Sequence, residues 1–162
     1  MAYKVFISYS TKDRELIEDI AEFLPLKGIT PYIAEWDVTP GKNLPRKVVS
    51  QIRNSDCVVA ILTKGGKRSE WVNQEIGCAL GLDKLVIPFV EKGVRVKGFL
   101  EARECIRFDP SDPESLPSAL EQLTDYLDEL HLEKQAGQRR GMWILGGLVL
   151  LSILFPGNGK EG

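Results

Sequence analysis

The feature that most restricts the fold of this chain is the apolar run Cys57–Leu62, six residues without a charged, hydroxyl or amide side chain. A strand with one solvated face alternates apolar and polar residues, whereas a strand that is apolar throughout is buried on both faces. Both faces are buried when helices cover the two sides of a parallel sheet. The run therefore predicts the central strand of an α/β domain.

Segments typical of strands alternate along the chain with segments of helical periodicity. We predict further strands at residues 5–7, 29–34, 85–90 and 104–108. The intervening helices begin near Asp13, Pro45, Ser69 and Leu116. This alternation predicts an α/β fold, a doubly wound (flavodoxin-like) five-stranded parallel sheet flanked by helices. Ligands of such sheets bind beyond the carboxyl ends of the strands.

Charge and cysteine content exclude several kinds of partner. Residues 1–130 carry 17 Lys+Arg against 21 Asp+Glu, so this part of the chain is mildly acidic. Because nucleic-acid binding needs a concentrated basic surface, we expect no nucleic-acid partner. The three cysteines lie far apart in apolar segments, which predicts buried free thiols in a reducing compartment and no metal site.

A second apolar segment lies near the end of the chain. Residues 141–157 contain no charged side chain. As a helix they would span about 25 Å, at the short end for a bilayer core about 30 Å thick. Arg139 and Arg140 precede the segment, so the positive-inside tendency would keep the rest of the chain cytoplasmic. A helix docked in an oligomer and an interfacial anchor are the alternatives.

The domain organisation follows from this segment. We predict a globular body at 1–132, a linker at 133–141, a C-terminal transmembrane helix at 142–157 and a short polar tail at 158–162. The predicted location is the cell membrane, with a single pass and a cytoplasmic body.

Trp71 and Glu75 are the residue pair most suggestive of a site. Four residues apart on a helix, they share a face, so a π surface and a carboxylate would project to one spot. Ser69 is a good N-cap for that helix, which begins at the carboxyl edge of the predicted sheet. The alternative is that Trp71 packs in the core and Glu75 is solvated.

Three segments in the expected order resemble one known family. They are 5–10 (VFISYS) at the end of the first strand, 36–41 (WDVTPG) after the second, and 71–75 (WVNQE) at the start of the helix after the third. Together they resemble a Toll/interleukin-1 receptor (TIR) domain of the prokaryotic NAD-cleaving type, over roughly residues 3–130. The family contains self-assembling signalling scaffolds and NAD-cleaving enzymes. In the enzymes the catalytic glutamate lies in a Trp-x-x-x-Glu context, which Glu75 matches.

The resemblance also implies roles for other residues. Ser8, Tyr9 and Ser10 are expected to line the nicotinamide and ribose pocket, and Trp71 to stack on substrate or brace Glu75.

Lys42 is expected to contact the diphosphate. Some relatives carry an aromatic residue just after the loop glycine and lysine that contacts the substrate of a neighbouring protomer. Asn43 and Leu44 stand there in this chain, so that contact is either absent or supplied by Trp36. A solvated surface lysine is the alternative for Lys42, and Arg46 is a second candidate for the diphosphate.

A flexible loop after the second strand is implied to mediate homotypic TIR–TIR self-association, through Asp37, Pro40 and Gly41. A Pro-Gly pair there is also simple turn chemistry. No cofactor or metal is implied, because NAD+ would be the substrate.

The implied chemistry suits a carboxylate. Cleaving the nicotinamide–ribose bond releases a neutral ring while positive charge develops on the ribose carbon, and a carboxylate stabilises that charge. The prediction is an NAD+ nucleosidase that produces nicotinamide and ADP-ribose or a cyclic isomer, activated by self-assembly in immune or anti-phage signalling. The alternative is a non-catalytic TIR scaffold for signal transduction in which Glu75 is only a helix-surface residue.

Overall fold

The computed structural model describes residues 3–33, 46–66 and 69–154, with side chains to residue 138 apart from Lys27 and Phe99. Within these ranges the chain forms five strands and four α-helices in the predicted order, with a 3-10 turn (Gly98–Leu100) instead of an α-helix between the last two strands. The strands are β1 (Tyr3–Ser8), β2 (Ile29–Ile33), β3 (Cys57–Leu62), β4 (Leu85–Glu91) and β5 (Ile106–Phe108). The helices are α1 (Arg14–Phe23), α2 (Arg46–Asn54), α3 (Glu70–Gly81) and α4 (Ser115–Leu154).

The five strands form one parallel sheet in the order β2-β1-β3-β4-β5, which confirms the predicted doubly wound topology. β3 is central, and five of its six residues are buried. Its register with β1 runs from Val5↔Cys57 to Ser8↔Ala60, so Ser8 lies at the carboxyl end of the sheet. Pro31 lies in β2, an edge strand, where a missing N–H is tolerated.

One hydrophobic cluster joins the sheet to α2 and α3. Val48 and Ile52 of α2 and Val72 of α3 belong to it together with strand residues such as Phe6 and Val58. Burying an aliphatic side chain of this size contributes roughly 1.5–3 kcal/mol relative to exposure. The cluster thereby fixes α3, which carries Trp71 and Glu75, against the sheet.

The cysteines are free, as predicted, but their burial differs from the prediction. Cys57 is buried in β3, whereas Cys78 and Cys105 are partly exposed. The prediction from apolar sequence neighbours was wrong for these two cysteines. Cys78 lies on the less buried side of α3, and Cys105 lies just before β5.

Helix α4 runs without interruption from Ser115 to Leu154, so residues 133–141, predicted to be a linker, are helical. Their polar side chains include good helix formers such as lysine, glutamine and arginine, which continue a helix as readily as they end one. The chain divides into two compact units, Met1–Tyr126 and Leu127–Gly162.

The predicted transmembrane segment, 142–157, belongs to the second unit, and its side chains lie outside the described residues. Within the described part of the chain, none of the helices combines the length and apolarity needed to cross a bilayer.

Candidate active site

Ser8 and Glu75 meet at the carboxyl end of the sheet. Ser8 is the last residue of β1, and Glu75 lies in the second turn of α3, the helix that follows β3. The Ser8 hydroxyl donates a 2.6 Å hydrogen bond to Glu75 Oε2. Both side chains are fully buried, with 0% exposure. The structure therefore brings together two of the residues that the resemblance assigned to the site.

Local sequence explains why Glu75 points inward. α3 begins where Ser69, in extended conformation, accepts a hydrogen bond from the backbone N–H of Val72, which confirms the predicted N-cap. The buried positions of the helix are Val72, Glu75, Ile76 and Ala79. This is the i, i+3, i+4, i+7 stripe of a helix face that packs against a core. Glu75 thus occupies a stripe position where an apolar residue would be expected.

The Glu75 carboxyl group is poorly solvated. Its Oε1 atom is buried and has no hydrogen-bond partner among the residues that the structure describes. Burial raises the pKa of Glu75 from 4.5 to about 8, and the hydrogen bond from Ser8 opposes that rise. With that pKa, most molecules carry a protonated Glu75 at pH 7.

The structure contradicts the alternative interpretation of the Trp71–Glu75 pair, in which Trp71 packs in the core and Glu75 is solvated. Trp71 is partly exposed and does not belong to the fully buried core, whereas Glu75 is fully buried and not solvated. The expectation of Glu75 as a helix-surface residue, which went with the scaffold alternative, is also wrong. Helical periodicity fixes which residues share a face, but neighbouring segments decide how much of that face is covered.

The remaining predicted site residues fall into two groups. Tyr9 is partly buried just after β1, and Ser10 is buried, with its hydroxyl accepting a 3.4 Å hydrogen bond from the Lys12 N–H. Arg46 is exposed at the start of α2. The others lie outside the described residues: Trp36, Asp37, Pro40, Gly41 and Lys42.

A second polar cluster at the same sheet edge was not predicted from the sequence. Thr63, immediately after β3, donates a 2.7 Å hydrogen bond to Asp13 Oδ1 in the loop after β1. The Gly66 N–H donates a 2.8 Å hydrogen bond to Thr63 Oγ1. The sequence did contain a signal for this cluster. A hydroxyl residue, Thr63, follows β3 and a carboxylate, Asp13, follows the neighbouring strand β1, and parallel pairing brings the ends of both strands to one edge of the sheet.

Metal binding finds no support in this region. Within the described part of the chain, no group of three or more His, Cys, Asp or Glu side chains could hold a metal ion.

Comparison with known proteins gives a family and a fold. A family model described as TIR domain matches residues 5–124. The chain is 26% identical over 114 residues to a protein named probable 2' cyclic ADP-D-ribose synthase TcpO from Methanobrevibacter olleyae, covering 68% of this chain and 32% of that protein. It is 26% identical over 95 residues to 2' cyclic ADP-D-ribose synthase AbTIR from Acinetobacter baumannii, covering 56% of this chain and 35% of that protein.

The chain thus spans about a third of the length of these two curated relatives. Among solved structures it resembles the TIR domain of the Toll-related receptor TRR-2 from Hydra magnipapillata, with a TM-score of 0.61 and 23% identity. That match covers 78% of this chain and 99% of the receptor domain. The likeness at this identity is one of fold.

Proposed function

Because this chain belongs to the TIR domain family, we propose that it is an NAD+ nucleosidase with Glu75 as its catalytic carboxylate. The observation that carries the proposal is the hydrogen-bonded, fully buried Ser8–Glu75 pair at the carboxyl edge of the sheet. A carboxyl group in an apolar helix stripe is expensive to bury, and a shifted pKa beside a ligand-binding edge is typical of a catalytic group. Two relatives named 2' cyclic ADP-D-ribose synthases support the substrate class.

The proposed reaction breaks the bond between the ribose carbon and the nicotinamide nitrogen. The bonding electrons go to the pyridinium ring, which leaves as neutral nicotinamide, and the ribose carbon becomes electron-deficient. An ionised Glu75 stabilises this oxocarbenium-like transition state more than the ground state. No general acid is needed for departure, because the leaving group is already neutral when it separates. Water, or an internal nucleophile of the same nucleotide, then attacks the ribose carbon and loses its proton.

The protonated form of Glu75 is a resting state in this mechanism. A carboxylate beside a positive charge has a lower pKa, since the charge favours the ionised form. Binding of the cationic nicotinamide ring next to Glu75 would therefore release its proton. Because Glu75 is fully buried in the described conformation, substrate access also requires local movement around the Ser8–Glu75 pair.

Neighbouring residues have proposed parts in substrate binding. Tyr9 and Ser10 follow β1 directly after Ser8, at the position expected for contacts with nicotinamide and ribose. Trp71 lies one helical turn before Glu75 and is partly exposed, and its proposed part is to stack on the substrate. Trp36 and Lys42 complete the proposed substrate contacts.

Self-association is the proposed switch for activity. The loop containing Asp37, Pro40 and Gly41 is proposed to contact a second copy of the chain and to complete the site. A single-pass helix at 142–157, with the TIR domain on the cytoplasmic side, would raise the effective concentration of partners by confining them to a surface. A role in immune or anti-phage signalling rests on family membership alone.

A non-catalytic scaffold is the second candidate, and a specific observation favours it. Glu75 is inaccessible in the described conformation and mostly protonated at neutral pH, which is also what an inert buried carboxyl group would show. The finer assignment of product, ADP-ribose or a cyclic isomer, depends on which nucleophile reaches the ribose carbon.

The test is to incubate the clustered full chain with NAD+ and to identify the products by chromatography. The enzyme proposal predicts nicotinamide together with ADP-ribose or a cyclic isomer. The scaffold proposal predicts no consumption of NAD+ under conditions in which the chain demonstrably self-associates.

A further inference from the structure

A chain of hydrogen bonds links the loop after β1 to the start of α3. Thr63 Oγ1 donates to Asp13 Oδ1 at 2.7 Å and accepts from the Gly66 N–H at 2.8 Å. The Ser69 N–H then donates to the Gly66 carbonyl at 2.8 Å. Ser69 is the N-cap of α3, so this series of hydrogen bonds ends at the helix that carries Glu75.

The contacts around Gly66 leave no room for a side chain. A Cβ atom at this position would lie 2.6 Å from Asp13 Oδ2 and 2.8 Å from Ser10 Cβ. Both distances are below van der Waals contact, so the loop or Asp13 would have to move. At the adjacent Gly65, the nearest atom would be 3.8 Å away, which is ordinary contact. Close packing against the β1 loop is therefore specific to Gly66.

Burial of the Asp13 carboxyl group lowers the stability of the fold. Its Oδ2 atom is buried and has no hydrogen-bond partner among the described residues. Burial raises the pKa of Asp13, while the Thr63 hydrogen bond lowers it. An unsatisfied buried carboxyl oxygen is destabilising, so the surrounding structure must hold it in place. We call Asp13, Thr63 and Gly66 the loop cluster. Close packing and buried polar atoms hold these three residues in one arrangement.

We propose that the loop cluster positions α3 relative to β1 and thereby sets the alignment of Glu75 with Ser8 for catalysis. Besides the pairing of β1 with β3, the described contacts include two side-chain hydrogen bonds that join β1 and the loop after it to the segment from Thr63 to Glu75. One is the Ser8–Glu75 hydrogen bond, and the other is the Thr63–Asp13 hydrogen bond of the loop cluster. Two points of attachment fix the helix start as well as its second turn. The members of the cluster are positioning residues, because they act on the reaction through Glu75.

The catalytic part of this inference rests on the proposed NAD+ nucleosidase activity, whereas the positioning part does not. A displacement of about 1 Å at a catalytic group can cost roughly 100-fold in rate. Loss of the Thr63 hydroxyl should therefore lower kcat more than it raises KM, whereas Gly66→Ala also crowds Ser10, a proposed substrate contact, and should affect both constants. Both substitutions should also change the titration of Glu75, because the Ser8 hydrogen bond depends on the same alignment.

The experiment compares Gly66→Ala with Gly65→Ala in the full chain. The two substitutions make the same chemical change at adjacent positions, but only the first creates a clash. The readouts are kcat and KM for NAD+ and the pH titration of the Glu75 carboxyl carbon, followed by carbon-13 NMR against a Glu75→Gln reference. We expect Gly65→Ala to stay within about 2-fold of wild type and Gly66→Ala to lose about 10- to 100-fold in kcat with a shifted Glu75 titration.

Thr63→Val and Thr63→Ser provide a second pair that does not depend on tolerance of the Gly66 substitution. Valine removes the hydroxyl that both donates to Asp13 and accepts from Gly66, whereas serine keeps it. The expected result is loss of kcat in Thr63→Val and recovery in Thr63→Ser.

The outcomes separate the two proposals. A shifted Glu75 titration in Gly66→Ala and Thr63→Val, with no NAD+ turnover in any variant or in wild type, would support positioning and contradict the nucleosidase. Wild-type kcat and an unchanged titration in both Gly66→Ala and Thr63→Val would overturn the positioning proposal while leaving the nucleosidase intact.

Discussion

Ser8 and Glu75, 67 positions apart in the sequence, are joined by a 2.6 Å hydrogen bond between the Ser8 hydroxyl and Glu75 Oε2. The contact connects the end of β1 to the helix after β3, two elements brought together by the pairing of β1 with β3. It gives the buried carboxyl group its one hydrogen-bond donor among the described residues. The protonation state of Glu75, and the stability of the domain at high pH, should therefore depend on Ser8.

Replacing Ser8 by alanine should destabilise the domain. The ionised Glu75 would lose its donor, and an unsatisfied buried polar group costs about 1–3 kcal/mol. Chemical denaturation at pH 9, where the wild-type carboxyl is mostly ionised, should show this loss. Ser10→Ala removes a neighbouring buried hydroxyl that makes only a 3.4 Å contact, and it should cost less. Equal stability of Ser8→Ala and wild type at pH 9 would argue against the hydrogen bond.

Activity should rise with pH as Glu75 ionises. The profile of kcat/KM reports the free enzyme, so its inflection should lie near the Glu75 pKa of about 8. The profile of kcat should inflect at lower pH, because the cationic substrate favours the carboxylate. Ser8→Ala should move the kcat/KM inflection upward, since the lost hydrogen bond had lowered the pKa. A kcat/KM profile that is flat between pH 6 and pH 9 would be inconsistent with a raised Glu75 pKa.

Stability should fall with pH because of Glu75, and Glu75→Gln should abolish that fall. The folded chain holds the Glu75 proton up to a pKa of about 8, whereas an unperturbed glutamate titrates at 4.5. Between these values the folded state binds more protons than the unfolded state, so its free energy of unfolding decreases as pH rises. Thermal unfolding should therefore show that the free energy of unfolding of Glu75→Gln, relative to that of wild type, is higher at pH 8.5 than at pH 5 by on the order of a few kcal/mol.

The matched control for this stability measurement is Glu70→Gln, on the same helix but exposed. Its stability relative to wild type should change little between the two pH values. If Glu70→Gln and Glu75→Gln behave alike, burial of Glu75 does not explain the pH dependence.

The N-cap of α3 should contribute measurably to stability. Ser69→Ala removes the side chain that accepts from the Val72 N–H and should cost about 1 kcal/mol, whereas Ser69→Asp keeps an acceptor and should cost less. Urea denaturation of the two variants at pH 5 checks this, because Glu75 is then mostly protonated. A larger loss in the aspartate variant would contradict the capping role.

Sequence patterns were sufficient for the architecture and for part of the site. The apolar run of β3 and the alternation of strands with helices predicted the doubly wound, five-stranded parallel sheet that the structure contains. The same patterns placed Ser8 and the helix of Glu75 at one edge, because parallel strands end on one side. The predicted N-cap, Ser69, is confirmed.

Burial and loop contacts could not be predicted in the same way. The stripe Val72, Glu75, Ile76 and Ala79 is visible in the sequence, but what covers it depends on segments distant along the chain. The Asp13–Thr63 contact joins loops 50 residues apart and depends on their exact backbone paths. Helix α4 continued through the polar residues 133–141 because polar residues with high helix propensity do not by themselves mark a boundary.

A comparison of NAD+ turnover by wild type, Glu75→Gln and Glu70→Gln tests whether Glu75 is the catalytic carboxylate. The full chain would be clustered on a surface, and nicotinamide release would be measured at pH 8. We expect a loss of about 100- to 1,000-fold in Glu75→Gln, comparable to removing a key charge-stabilising group, and near wild-type activity in Glu70→Gln. Turnover by Glu75→Gln at the wild-type rate would contradict Glu75 as the catalytic carboxylate.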